Sequence, residues 1–444
     1  MQTILYDMPT ALTIAGVDTG GGAGIAADLK TFAALGVHGT CVITSVTAQN
    51  TRGVLNSWDI PVEFIEEQFN AVVSDIGIDC AKTGMLSSPA IVRKVVYLLK
   101  DQRFPLVIDP VMAAEAGGKL LMEEAVSILI EELMPLCTVI TPNLAEAQRL
   151  SGLKITDTKD ARKAAKRIHD LGAKAVIVTG GHLKGTDVLY DGEYTYIAGE
   201  LVKGGTHGSG CTHSAALAAE LAKGTTLIEA AESAKKFVEK AILASVVIGG
   251  GVAPVNQVGH VLAEAERFHV LTNVEEAVEL IQNNRDLSIL IPEVGCNIAM
   301  GISGASSTND VAAVSGRIVK LKGMTHAVGC VAFGASSHIA RIVLTSMRAD
   351  SSKRAAMNMR FSHEALAACR DIGLKVASFS REDEPEGVAT MEWGVSEVIS
   401  REGTVPEIIY DTGSVGKEAM IRIIGNDAVV VASKAIEIAR AMIR

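Results

Sequence analysis

Between Leu12 and Thr179 the chain alternates short apolar, β-branched runs with segments of helical period, and each run stops at a polar residue or a glycine. Leu12–Ala15, Cys41–Val46, Leu106–Ile108, Val139–Ile140 and Ala175–Thr179 read as strands. Ala26–Leu35, Glu63–Val73 and a segment opening at Pro142 read as helices. Strands linked through helices run parallel, because a parallel crossover needs a connection long enough to hold one. Helices then cover both faces of the sheet, and the strands become apolar throughout. In open sheets of this kind ligands bind beyond the carboxyl ends of the strands. Asp18, Gln49, Asp109, Asn143 and Gly180 all fall at such ends, and that shared placement is stronger than any one motif.

At 444 residues the chain is too long for one typical domain. Helical pattern breaks at Gly249–Gly259, which reads as a linker, so the expected domains are 1–258 and 259–444, the second a smaller α/β unit. A net charge of −10 argues against nucleic-acid and anionic-membrane partners, leaving small-molecule substrates. Seven scattered cysteines with no CxxC pair suit a reducing cytosol, and no membrane span or signal peptide is read. A cytoplasmic homo-oligomer is the expectation.

Two glycine-rich turns join strands to helices. Asp18-Thr19-Gly20-Gly21-Gly22-Ala23-Gly24 precedes the first helix, and Thr206-His207-Gly208-Ser209-Gly210-Cys211 opens a later one. Backbone N–H groups of Gly208, Ser209 and Gly210 at a helix N-terminus suit a phosphate, although a plain tight turn capped by Thr212 fits as well. Cys211 is the unusual element, since a helix N-terminus lowers a thiol's pKa and favours the thiolate.

The ordered set Ala15-Gly16-Val17-Asp18 with Gly21–Thr31, Thr47–Thr51, Thr83–Leu86, Ile108–Met112, Thr141–Glu146 and Gly180–His182 resembles the hydroxymethylpyrimidine/phosphomethylpyrimidine kinases of thiamine biosynthesis, members of the ribokinase-like superfamily. The resemblance implies ATP as substrate, with Mg²⁺ at Asp109 and Glu146. It implies nucleotide or phosphate contacts from Asn143, Thr179, Gly180, Gly181, Thr206, Gly208, Ser209 and Gly210. Many relatives carry Lys where this chain has Thr179. The pyrimidine is expected against Gly16, Asp28, Gln49, Met85, Val111 and Cys211, with Cys211 either a base or a contact to the hydroxymethyl group.

Beyond the linker, Pro292–Asn297, Ser315–Ile318, Ala332–His338 and Asp411–Glu418 look like the archaeal-type thiamine-phosphate synthase domain, for which the resemblance implies catalytic roles for Arg317 and His338. Ser306–Asp310 is expected to open a helix. Two rivals remain: a kinase fused to a thiamine-phosphate-sensing domain, and a pyridoxal-type vitamin kinase.

Overall fold

The computed structural model describes residues 8–113, 120–181, 183, 185–381, 390–414 and 416–444. His182 and Val415, each part of a motif quoted above, lie outside the described residues. The chain divides into two compact units, Met1–Val261 and Leu262–Arg444.

Unit 1 carries strands β1 (Thr10–Asp18), β2 (His38–Asn50), β3 (Gly53–Asp59), β4 (Cys80–Thr83), β5 (Leu106–Ile108), β6 (Val139–Ile140), β7 (Val176–Val178), β8 (Asp187–Tyr190) and β9 (Tyr194–Ile197). They form one sheet in the order β3-β2-β1-β4-β5-β6-β7-β8-β9. The six strands from β2 to β7 in that order pair in parallel, and β3, β8 and β9 add antiparallel edges. Its helices are α1 (Gly24–Ala34), α2 (Val62–Asp75), α3 (Pro89–Leu99), α4 (Glu123–Ile128), α5 (Leu144–Ser151), α6 (Thr158–Asp170), α7 (Ser209–Ala222) and α8 (Leu227–Leu243). One core, with Phe32, Leu217 and Phe237, lies under α1, α7 and α8. The other, with Ile65, Ile91 and Leu150, lies under α2, α3 and α5. The alternation thus yields the mainly parallel sheet expected of it, while the edge hairpins were not foreseen.

The glycine-rich stretch after α8 is not a free linker. Val252 N–H donates to the Thr51 carbonyl at 2.9 Å, His207 N–H to the Ala253 carbonyl at 3.2 Å, and Val255 N–H to the His207 carbonyl at 3.1 Å. A Cβ on Gly251 would stand 1.9 Å from the Thr51 carbonyl oxygen. Glycine here permits close backbone approach, so residues 249–256 form a strap on unit 1.

After α9 (Gly259–Gln282), unit 2 carries strands β10 (Ile298–Gly301), β11 (Val311–Val314), β12 (Ile318–Leu321), β13 (Met324–Ala327), β14 (Val331–Phe333), β15 (Ala355–Arg360), β16 (Val376–Ser378), β17 (Ile408–Asp411) and β18 (Met420–Gly425). Its further helices are α10 (Ser337–Ala349), α11 (His363–Asp371), α12 (Thr390–Glu402) and α13 (Ala428–Ile443). The sheet order is β14-β11-β10-β15-β18-β17-β16, antiparallel except for β16 with β17, and β12 and β13 form a separate hairpin. Helices α9, α11 and α13 pack on one face, α10 and α12 on the other. The helix expected after Ser306 is absent. Ser307 and Asp310 do form a capping box, but it closes one 3₁₀ turn, and Val311–Val314 then joins the sheet as β11. The polar cap signature is the same for both outcomes; pairing with β10 on one side and β14 on the other decides.

Candidate functional site

In unit 1 the site assembles at the carboxyl ends of the parallel strands. Alternation along β4 turns Lys82 to the face that Cys80 shares with Phe32, under α1 and α7. There Lys82 Nζ lies 3.0 Å from Asp28 Oδ1 and 3.9 Å from Asp109 Oδ2, with no exposure of either Lys82 or Asp28. Asp28 also accepts from Thr13 Oγ1 at 2.6 Å. Burial works against the Lys82 charge, but Asp28, Cys211 and Asp109 outweigh it and hold the ammonium well above the usual lysine range. Lys82 was not singled out in the sequence. A lysine inside an apolar strand was the available signal, with a carboxylate inside an apolar helix to match.

Cys211 stands in the first turn of α7, partly exposed. Burial of the sulfur pushes its pKa up to about 12; Asp109 and Asp28 add to that, and Lys82 with the Gly24 N–H opposes it. The expected thiolate is therefore corrected to a protonated thiol. Two nearby carboxylates and an enclosed sulfur overcome the helix N-terminus.

The two glycine-rich turns close on each other. Asp18 Oδ2 meets His207 Nε2 at 2.9 Å, and the same carboxylate accepts from the N–H groups of Gly20, Gly22 and Ala23. Gly208 has φ +84°, and a Cβ there would stand 1.9 Å from the Gly22 carbonyl oxygen. Of the three N–H groups expected to converge on a phosphate, that of Ser209 is taken by the Thr206 carbonyl at 2.9 Å. Gly210 faces open space, and the first N–H groups of a helix have no intrahelical partner. The turn thus offers a narrower anion cradle than the sequence suggested. Thr206 is exposed, and Thr212 caps nothing: Gly208 holds the N-cap position with no side-chain cap.

Asp109 follows β5, and its Oδ2 accepts from Ser214 Oγ at 2.9 Å. Asn143 and Glu146 form a capping box on α5, each side chain accepting from the other's backbone N–H at 3.0 and 2.9 Å. Burial first and the Asp109 charge second push Glu146 up to about 8. Two buried carboxylates that repel each other are a hard-oxygen donor set short of a cation, which fits Mg²⁺. No cluster of three or more metal-type side chains occurs among the described residues.

Thr179 N–H donates to the Pro142 carbonyl at 3.0 Å, bringing the expected nucleotide loop beside Asn143. Gly180 N–H donates to Asp187 Oδ1 at 2.6 Å, and Lys235 Nζ holds the same oxygen at 2.8 Å. A Cβ on Gly180 would collide with the Thr186 carbonyl, whereas Gly181 is open. For the pyrimidine set, a Cβ on Gly16 would stand 3.2 Å from Met85 Sδ, so these two are adjacent. Gln49 Oε1 accepts from Thr47 Oγ1 at 3.1 Å, and Val111 is half-buried just past β5.

In unit 2, His338 lies in the first turn of α10 and Arg317 on the turn between β11 and β12. Asn297 fixes that turn by donating to the Val314 and Gly316 carbonyls. Protein packed around the His338 ring, then the charges of Arg422, Arg381, Arg317 and Arg341, hold its pKa below the ordinary histidine value. The charge of Arg317 reaches the His338 ring, as do those of Arg381 and Arg422, which the sequence reading had not singled out. No described helix is long and apolar enough to cross a membrane.

The family described as phosphomethylpyrimidine kinase matches residues 18–256, and that described as thiamine-phosphate synthase ThiN matches residues 273–437. The bifunctional thiamine biosynthesis protein ThiDN of Methanocaldococcus jannaschii is 35% identical over 95% of this chain and 96% of its own. The hydroxymethylpyrimidine/phosphomethylpyrimidine kinase of Streptomyces coelicolor is 46% identical over 56% of this chain and 94% of its own. Among solved structures, the ADP complex of Bacillus subtilis pyridoxal kinase superposes with a TM-score of 0.54 at 41% identity, over 57% of this chain and 99% of that one, which places unit 1 in the ribokinase-like fold. The chain belongs to the family of bifunctional thiamine-biosynthesis proteins that join a phosphomethylpyrimidine kinase domain to an archaeal-type thiamine-phosphate synthase domain.

Proposed function

We propose that unit 1 transfers phosphate from ATP to 4-amino-5-hydroxymethyl-2-methylpyrimidine and then to its monophosphate. Unit 2 then couples the diphosphate with hydroxyethylthiazole phosphate, giving thiamine phosphate and pyrophosphate. The observation that carries this reading is the match to a bifunctional relative across both units.

Phosphoryl transfer asks the protein mainly for position and charge stabilisation. The cradle at Gly210 and Cys211 receives the transferring phosphate, with the α7 dipole behind it. Lys82, held by Asp28, places a buried positive charge beside Asp109 and Cys211. The protonated Cys211 orients the alcohol rather than acting as a thiolate base. Asp109 and Glu146 would hold Mg²⁺, which neutralises charge across the transferring phosphates. Gln49 presents an amide to the aminopyrimidine edge, and Met85 an apolar face.

In unit 2 the C–O bond to pyrophosphate breaks as the thiazole nitrogen bonds to the pyrimidine methylene. Arg317 steadies the departing pyrophosphate by charge-assisted hydrogen bonds. His338, whose pKa is lowered by burial first and by the surrounding arginine charges second, is suited to accept or relay a hydrogen bond there.

The test is a single reaction containing the full chain, ATP, Mg²⁺, hydroxymethylpyrimidine and hydroxyethylthiazole phosphate. Thiamine phosphate is expected. Diphosphate accumulation without thiamine phosphate would favour the sensing-domain alternative. The solved pyridoxal kinase resembles unit 1, so pyridoxal belongs in a parallel reaction, and faster turnover on it would displace the pyrimidine reading.

A further inference from the structure

Strand β8 opens on Asp187, whose side chain is 2% exposed. A carboxylate in the buried run Asp-Val-Leu-Tyr must find partners, since an unpaired charge away from water is costly. Three arrive from three separate segments. Gly180 N–H, just past β7, donates to Oδ1 at 2.6 Å. Lys235 Nζ, from α8, donates to the same oxygen at 2.8 Å. His213, from α7, brings Nε2 within 3.6 Å of Oδ2. Burial works against the Asp187 charge, but His213 and Lys235 outweigh it and hold the carboxyl below its usual range.

The contact to Gly180 fixes a backbone. Antiparallel pairing of Val178 with Val188 sets Asp187 opposite the end of β7, so register alone brings the carboxylate to that turn. The Gly180 carbonyl is taken as well, by the N–H groups of Leu183 and Gly185 at 2.7 and 3.1 Å. Both hydrogen-bonding groups of Gly180 are thus spent within the protein. Gly181 differs: a Cβ there would have no neighbour within 4 Å. The turn is pinned at one glycine and open at the next. His213 lies two residues after Cys211, in the helix whose first turn is the phosphate cradle. One carboxylate therefore stands between the expected nucleotide loop and the cradle helix.

We propose that Asp187 is a positioning residue for ATP, holding Gly180 from behind so that Gly181 faces the nucleotide phosphates. Lys235 and His213 steady the carboxylate. The assignment rests on the ATP-dependent activity proposed for unit 1. Buried as it is, Asp187 does not touch the nucleotide and acts through Gly180. A carboxylate suits the task because a charge-assisted hydrogen bond is stronger than a neutral one. A loop already held in its binding form also costs less to order when a ligand arrives.

The test compares wild type, Asp187→Asn, and a double variant, Asp187→Leu with Lys235→Met, all as the full-length chain. Replacing both members of a buried pair by apolar residues is often neutral for folding. The double variant therefore takes the acceptor from Gly180 without stranding a charge. Calorimetric titration with ADP in the presence of Mg²⁺ reads nucleotide affinity with no phosphate acceptor present. Initial rates give KM for ATP and for hydroxymethylpyrimidine. The double variant should weaken ADP binding and raise KM for ATP, each by at least about tenfold. KM for the pyrimidine should stay within about twofold, because Gly16, Gln49 and Met85 lie on or just past β1, β2 and β4. Asp187→Asn keeps an acceptor oxygen and loses its charge, so it should fall between. Hydrogen exchange of the β7 and α8 amides reports the fold of unit 1. If the double variant has lost that protection, Asp187→Asn decides. Wild-type ADP affinity in the deciding variant overturns the assignment. So does an equal rise in both KM values, the mark of a general loosening. Weakened ADP binding by these variants of a chain that phosphorylates pyridoxal and not the pyrimidine would uphold Asp187 and sink the pyrimidine reading instead.

Discussion

Lys82 Nζ lies 3.0 Å from Asp28 Oδ1 where water reaches neither side chain, tying β4 to α1 through the core. Breaking a buried pair by removing one partner typically costs about 3–5 kcal/mol, whereas an apolar replacement of both is often neutral. Lys82→Met should therefore destabilise unit 1 by about that amount, and Lys82→Met with Asp28→Leu should recover most of it. The recovered protein should still lack kinase activity, because the positive charge beside Asp109 is gone. Hydrogen exchange of the β1 and β4 amides separates the two effects; single-variant protection equal to wild type would remove the pair from the stability account.

The second prediction concerns the Cys211 thiol. With its pKa pushed up to about 12, it stays protonated through neutral and mildly alkaline pH, and its reactivity rises only as pH approaches that value. Iodoacetamide at pH 8 should label the exposed Cys330 and leave the Cys211 peptide unmodified by mass mapping. Rapid labelling of Cys211 would restore the thiolate. Cys211→Ser, which keeps a hydrogen-bonding group, should retain far more kinase turnover than Cys211→Ala.

These two residues mark the edge of what the sequence reveals. Cys211 was visible as an odd element in a glycine-rich turn, but its protonation depends on carboxylates from α1 and from the end of β5. Asp109 and Asn143 were legible because strand ends in a parallel sheet are where ligands bind. Lys82 was not, since its role exists only once Asp28, 54 residues away in sequence, packs against it. In unit 2 the short β11 was read as helix because a capping box looks the same before either element. Arg381 and Arg422 passed unnoticed because their shared partner, Asp411, acquires meaning only in the folded sheet.

Backbone closeness gives a third prediction. Gly208→Ala forces a Cβ onto the Gly22 carbonyl and strains a φ of +84°. The turns must part, so kinase turnover should fall by at least about a hundredfold, in line with the sensitivity of transfer chemistry to misplacement of about 1 Å. Coupling of supplied pyrimidine diphosphate should be unchanged. A variant with normal kinase rates would show that the two turns need not touch.

A fourth prediction uses the strap. A chain ending at Val261 should keep a folded kinase, as the curated kinase of similar extent suggests. One ending at Ile248 removes the partners of Thr51 and His207 and should lose pyrimidine phosphorylation. Equal activity of the two truncations, measured as ADP release, would reduce the strap to packing.

The strap also gives the chain a timetable. Synthesis runs from the amino terminus, and domains generally fold as units while the chain emerges. Residues 249–256 are among the last of unit 1 to leave the ribosome, yet they brace the turn at Thr51 and the His207 segment that meets Asp18. The pyrimidine kinase can therefore close only when translation of the synthase has already begun, so a ribosome halted within unit 2 would display a finished first enzyme, while one halted at residue 248 would hold an open one.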